Sequence, residues 1–228
     1  MNGLLLATAV LVLSTGQASA HKPRTIAVLP FENRSLADAR RYDALCRGLA
    51  DIISTELSVF SSLEVVERAE LSKIMKEIAL GQSGALEEGS AAEVGNLLGA
   101  EILVLGSFMK DMGSRIRVDI RMVEVESGRV LKAEEASGRT RSLLKLVRKL
   151  VFKIAGGLDL AVSKEERKTL KSAGTTTFDA LLAYSEGLEH LDNDRNEEAL
   201  RKFDEALELD PALERARHHR NHLREHTE

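Results

Sequence analysis

The chain has one cysteine, no tryptophan, three prolines, two tyrosines and six phenylalanines in 228 residues. Each scarcity excludes something. A single thiol, Cys46, rules out an internal disulfide, so stability has to come from a packed core. With so few aromatics, Val, Leu, Ile and Ala must fill that core. Neither sign of charge dominates: 32 Lys and Arg stand against 36 Asp and Glu, a net −4. A nucleic-acid binder would show a basic surplus, so nucleic acid is not an expected partner. Charged residues make up 30% of the chain without any low-complexity tract, which indicates a folded protein. Beyond the first twenty residues no long apolar run occurs, so nothing else is expected to span a bilayer as a helix.

What is present starts at the amino terminus. Leu4 to Leu13 is apolar and uncharged, and Ala18-Ser19-Ala20 follows as a small-x-small cleavage pattern. Residues 1–20 therefore read as a secretory signal cut after Ala20, too short for a transmembrane helix, which takes ~20 apolar residues. Position 21 is His rather than Cys, so no lipid-attachment box is present. The mature chain is expected to be soluble and to reside in the periplasm.

Periodicity orders the rest. TIAVLPF at 25–31 reads as a buried strand, and Asp38 as the cap of a long amphipathic helix over 39–60. A strand at 63–66, a helix at 70–80 with Leu71, Ile74, Met75 and Ile78 inside, a glycine-punctuated loop at 81–90 and a helix at 91–98 come next. Three strands follow, at 101–109, 115–125 and 129–137. The middle one alternates strictly, with Ile116, Val118, Ile120 and Met122 opposite Arg115, Arg117, Asp119 and Arg121. A helix over 141–163 closes the unit. The fold class is α/β (α+β): one mixed sheet packed with helices over residues 21–163. Residues 164–176 read as a polar linker, and 177–228 as a small all-α module, a helical hairpin (178–191 and 196–209) with a capping helix.

Catalytic signatures are scarce. The glycines at 81, 84 and 89 have no Lys-Ser/Thr partner and no preceding strand, so no phosphate loop exists, and no Gly-x-Ser-x-Gly elbow occurs. Glu87-Glu88 reads as a solvated loop pair. Cys46 falls on the apolar stripe of its helix, which suits a buried inert thiol better than a nucleophile. His218, His222 and His226 stand at i, i+4 and i+8, a face that could chelate zinc, nickel or copper, although no cysteine or carboxylate clearly completes a closed site. The closing helix carries Arg139, Arg141, Lys145, Arg148, Lys149 and Lys153 opposite its apolar stripe. That pattern suits a core helix with a wet face, an anionic membrane surface or an acidic partner.

Two resemblances add to these readings. EEALRKFDEALELDP, with Gly187, Ala199, Phe203, Ala206 and Pro211 at matching spacings, resembles a tetratricopeptide repeat, with Ala183 and His190 where aromatics are usual. One repeat cannot bury both faces, so it must pack on the main domain, on its own third helix or on another chain. TIAVLPFENRS, RGLADIISTELSVFSSLEVVER, GNLLGAEILVLGSF and RVDIRMVEVESGRVL together resemble the CsgG family, which contains the curli secretion channel, and the opening and order are similar to the TolB amino-terminal domain. The resemblance runs from residue 24 to about 163. The channel is similar to a lipoprotein with a terminal Cys, where this chain has His21, and it extends long strand hairpins into the membrane. Here only MKDMGS separates Phe108 from Arg115, too little for strands of ~9–11 residues.

The resemblance implies a non-enzymatic envelope protein without cofactor, acting as a protein-binding or assembly scaffold in envelope biogenesis or export. The implied partners are other envelope proteins or a second copy of itself, with at most peripheral membrane contact. Ala183, Tyr184, Gly187, Phe203 and Ala206 of the hairpin are the expected contact residues. The competing readings are a subunit of an outer-membrane secretion ring and a metal-binding protein using the histidine face.

Overall fold

The computed structural model describes residues 22–81, 88–172 and 176–225, with only the helical backbone for 78–81 and 88–92. The expected signal peptide, most of the glycine-punctuated loop, the side chains of Ile78 and Glu88, all of Glu87, and His226 lie outside the described residues.

Strand β1 (Arg24–Val28) is the hub of a mixed sheet. It pairs in parallel with β3 (Leu63–Val65) on one side and with β4 (Ile102–Lys110) on the other. From β4 the sheet continues antiparallel through β5 (Arg115–Glu124) and β6 (Val130–Arg139). The β4–β5 connection is the short turn at 111–114, where Asp111 Oδ1 accepts from the Arg115 amide. A two-residue strand, β2 (Glu32–Asn33), lies where a loop was expected and pairs with Ser107 and Phe108.

The helix expected over 39–60 is interrupted. Helix α1 (Ala39–Tyr42) and helix α2 (Leu45–Leu57) are separate. Asp38 does precede α1, but it sits in the left-handed region (φ 51°) and its side chain makes no capping hydrogen bond. Helix α3 (Arg68–Gly81) and helix α4 (Glu88–Leu97) complete the crossover from β3 to β4. Helix α5 (Leu143–Gly157) follows β6 through a 3-10 turn at Thr140–Ser142.

Alternation on the strands decides which helix covers which face. Ile26, Val28, Ile102, Val104, Phe108, Ile116, Val118, Ile120 and Met122 join the inner faces of α2 and α5 in one large core. Ala27, Leu29, Leu103 and Val125, pointing the other way, meet Leu71 of α3, Val94 of α4 and Leu98 just after it in a smaller one. α5 buries Leu143, Leu144, Val147, Leu150, Val151 and Ile154, each of which stabilises the fold by about 1.5–3 kcal/mol. Gly106 is required by packing. A Cβ there would lie 2.2 Å from Cε1 of Phe31, whose ring is buried against the strand.

The polar segment expected as a linker forms helix α6 (Lys164–Ser172). Its Glu166 accepts from the backbone amides of Ser61 and Ser163 and from the Ser61 hydroxyl, tying it back to the α2–β3 turn. Helices α7 (Phe178–Asp192), α8 (Asn196–Leu209) and α9 (Glu214–Glu225) form the carboxy-terminal helical segment. Thr177 caps α7, accepting from the Ala180 amide at 3.1 Å. Among the described residues no helix is long and apolar enough to cross a membrane.

Candidate functional site

α2 lies between the sheet and α7, and this double burial creates the candidate site. The two helices cross at Gly48 and Ser185. A Cβ on Gly48 would fall 1.8 Å from Ser185 Oγ, so no other residue fits without displacement. Ser185 is fully buried, and its hydroxyl is satisfied by donating to Leu181 O at 2.6 Å. Three residues on, Asp51 Oδ2 accepts from the Tyr184 hydroxyl at 2.5 Å. Burial, reinforced by the Asp51 charge, pushes the Tyr184 phenol well above its ordinary value, so it stays protonated and donates.

This docking carries the α7–α8 turn over the carboxyl end of β1. Asp192, the last residue of α7, gathers three donors there. Arg47 Nε of α2 reaches Asp192 Oδ2 at 3.0 Å, while Ser72 Oγ (2.8 Å) and Arg68 Nη2 (2.5 Å) of α3 reach Oδ1. Arg68 also donates to Leu188 O, and Lys76 pairs with Asp194 at 2.8 Å. One carboxylate thus clasps α2, α3 and α7 across more than a hundred residues of sequence.

Beneath this clasp is a cleft of about 500 Å³. Val28, Pro30, Phe31, Ala50, Val66, Leu71 and Met75 supply its apolar walls, and Arg47, Asp51, Ser54, Arg68, Ser72 and Asp192 its polar ones. It lies outside the carboxyl end of β1, between helices from opposite faces of the sheet, where ligands bind in open α/β folds. Lys76 also lines it; Asp192 is shared by the two arginines, Glu189 stands 3.9 Å from Arg47, Asp194 pairs with Lys76, and Asp51 accepts from Tyr184, so each charged group of the lining has a partner. Cys46 is also on the wall; burial first, then the Asp43 charge, pushes its thiol up to about 11, which disfavours the thiolate. An apolar ligand with a few hydrogen-bonding groups matches this lining.

The residues singled out on the hairpin are all inside. Ala183, Tyr184, Phe203 and Ala206 are buried, and a Cβ on Gly187 would lie 2.5 Å from Phe203 Cε1. They hold α7 to α8 and α7 to α2. His218 and His222 are exposed on α9, and among the described residues no three His, Cys, Asp or Glu side chains are placed to hold a metal ion. His219, between them in sequence, turns inward and stacks on Phe203 at 5.4 Å. Sequence reasoning missed Gly48, Ser185 and Asp192. Gly48 in RGLAD was the one visible signal, a glycine inside an apolar helical stripe.

The fold and cleft define a class: a mixed α/β sheet domain with a helical segment docked over the carboxyl end of its first strand. A family model described as the curli production assembly/transport component CsgG matches residues 7–111, which end just after β4. No curated protein sequence matches the chain. Solved structures similar to it include the LpoB C-terminal domain from Salmonella enterica, at 15% identity over 54% of this chain and 87% of that one (TM-score 0.39). TolB from Acinetobacter baumannii matches at 16% identity over 60% of this chain and 28% of that one (TM-score 0.41). The PelC dodecamer from Paraburkholderia phytofirmans matches at 15% identity over 61% and 90% (TM-score 0.39).

Proposed function

We propose that this chain is a non-enzymatic, protein-binding component of the cell envelope, a periplasmic scaffold in envelope assembly or export. The observation that carries the reading is the cleft beneath the Asp192 clasp. It is apolar-walled, its charged groups are paired, and among the described residues no activated nucleophile lines it, so it suits a peptide segment better than a reacting substrate. The CsgG model match over residues 7–111 and the leader-like first twenty residues support the compartment. The α7–α8 pair, with small residues at its crossing and Gly187 against Phe203, is a tetratricopeptide-like module that extends the binding surface. Ala183, Tyr184, Gly187, Phe203 and Ala206 act in this reading by fixing the module's position.

The test is capture from envelope extracts with the full chain, comparing wild type with Met75→Arg, which places a charge in the cleft. Partners identified by mass spectrometry should be lost from the variant, with circular dichroism unchanged. Recovery of the same partners by both proteins overturns the assignment to the cleft. Retention of the chain in the cytoplasm with residues 1–20 still attached overturns the compartment.

A further inference from the structure

A second concavity, with none of the cleft's residues, opens between α5 and α6. Lys145, Arg148, Lys149, Phe152 and Lys153 follow one another along one stripe of α5, and Leu170 and Lys171 of α6 face them across a groove of about 620 Å³. The floor is apolar: Leu170 is buried and Phe152 half-buried, its ring covered by the Arg167 guanidinium at 5.3 Å. The rim is cationic, and among the described residues no carboxylate lines it. Glu56 meets Arg148 from behind and Glu134 holds Lys153, while Lys145, Lys149 and Lys171 are exposed to solvent.

We infer that the α5–α6 groove is a docking site for an acidic peptide segment of a partner protein, with one apolar side chain seated between Phe152 and Leu170 and carboxylates meeting Lys145, Lys149 and Lys171. Charge complementarity selects an anion. Shape selects a peptide over a membrane. A basic amphipathic helix holds to lipid by sinking its apolar face into the acyl boundary, and α5 has spent that face on the core through Leu143, Leu144, Val147, Leu150, Val151 and Ile154. What remains is a narrow apolar strip at Phe152 and Leu170 set among the lysines, room for one side chain and not for an acyl boundary.

The probe is a fluorescein-labelled peptide of alternating Glu and Asp around a central Phe, read by anisotropy with the full chain. It should bind, weaken as salt is raised, and lose affinity roughly tenfold for each of Lys149→Glu and Lys171→Glu. These lysines are exposed, so the variants keep the fold, which circular dichroism checks. A peptide with Gly for the central Phe should bind several-fold more weakly. No binding, binding indifferent to the reversals, or equal binding of the Gly peptide overturns the proposal. So does co-sedimentation of the wild type with phosphatidylglycerol vesicles that the same reversals abolish, since that assigns the groove to a membrane.

Discussion

Single atoms settle much of this molecule. The Gly48 Cα hydrogen is all that fits against Ser185, so Gly48→Val should cost about 3 kcal/mol through overpacking. The loss should be read as a lower urea midpoint together with faster proteolytic release of the helices after residue 176. Glu56 is a different case. Its side chain is 4% exposed and lies between Arg148 Nε of α5 at 3.6 Å and Arg215 Nη2 of α9 at 3.3 Å. Removing the carboxylate takes an ion-pair partner away from two largely buried guanidiniums, so Glu56→Ala should destabilise by about 3 kcal/mol, and Arg215→Met in the same chain should restore part of it. A double-mutant cycle measures that recovery. His219 supplies a pH signature. Burial first, then Arg68, His218 and His222 against an opposing Asp51, lowers its pKa from 6.5 to about 4. A base with a depressed folded pKa binds its proton more readily when unfolded, so the stability it confers is complete above pH 6.5 and is lost as pH falls towards 4. The loss should be about 3 kcal/mol, and His219→Phe, keeping the stack on Phe203, should flatten melting temperature across that window. Glu166 titrates lower. Hydrogen bonds led by the Ser61 amide hold its carboxyl down to about 2, so its contribution fades only from pH 4.5 downward.

At the level of elements, α2 is the piece on which the others converge. One side completes the sheet core through Leu49, Ile52, Ile53 and Leu57, and the other receives α7 through Gly48 and Asp51. Helix periodicity made α2, α3, α5, α7 and α8 legible in the sequence, because an apolar stripe at 3.6-residue spacing is a local property. Strict alternation did the same for β5. Three elements were not legible. β2 has two residues, too few for any pattern, and exists because β4 offers it Ser107 and Phe108. The break at Asp43 and Ala44 sits inside a continuous apolar stripe, so spacing alone ran straight through it. α6 lies in KEERKTLKS, where only Leu170 is buried, and it persists because Phe152 and Ser61 give it partners.

The whole molecule has one main core. Residues from β1, β4, β5, α2 and α5 and from α7, α8 and α9 belong to a single connected cluster. Helices after residue 176 should therefore melt with the sheet in one calorimetric transition, and Tyr184→Phe, which leaves Asp51 without its donor, should lower that transition without splitting it. Two resolved transitions would show that the two parts hold together only through the clasp. The sequence by itself determined the order of the longer strands and helices, the mixed sheet and the lack of an internal disulfide, because these follow from spacing and composition along the chain. Only the tertiary structure decided where the hairpin lands, that Asp192 would meet Arg47 and Arg68, and that a cleft and a basic groove would result. Those depend on contacts between residues more than a hundred positions apart, such as Arg47 and Asp192, whose meeting is fixed by packing and not by any local pattern.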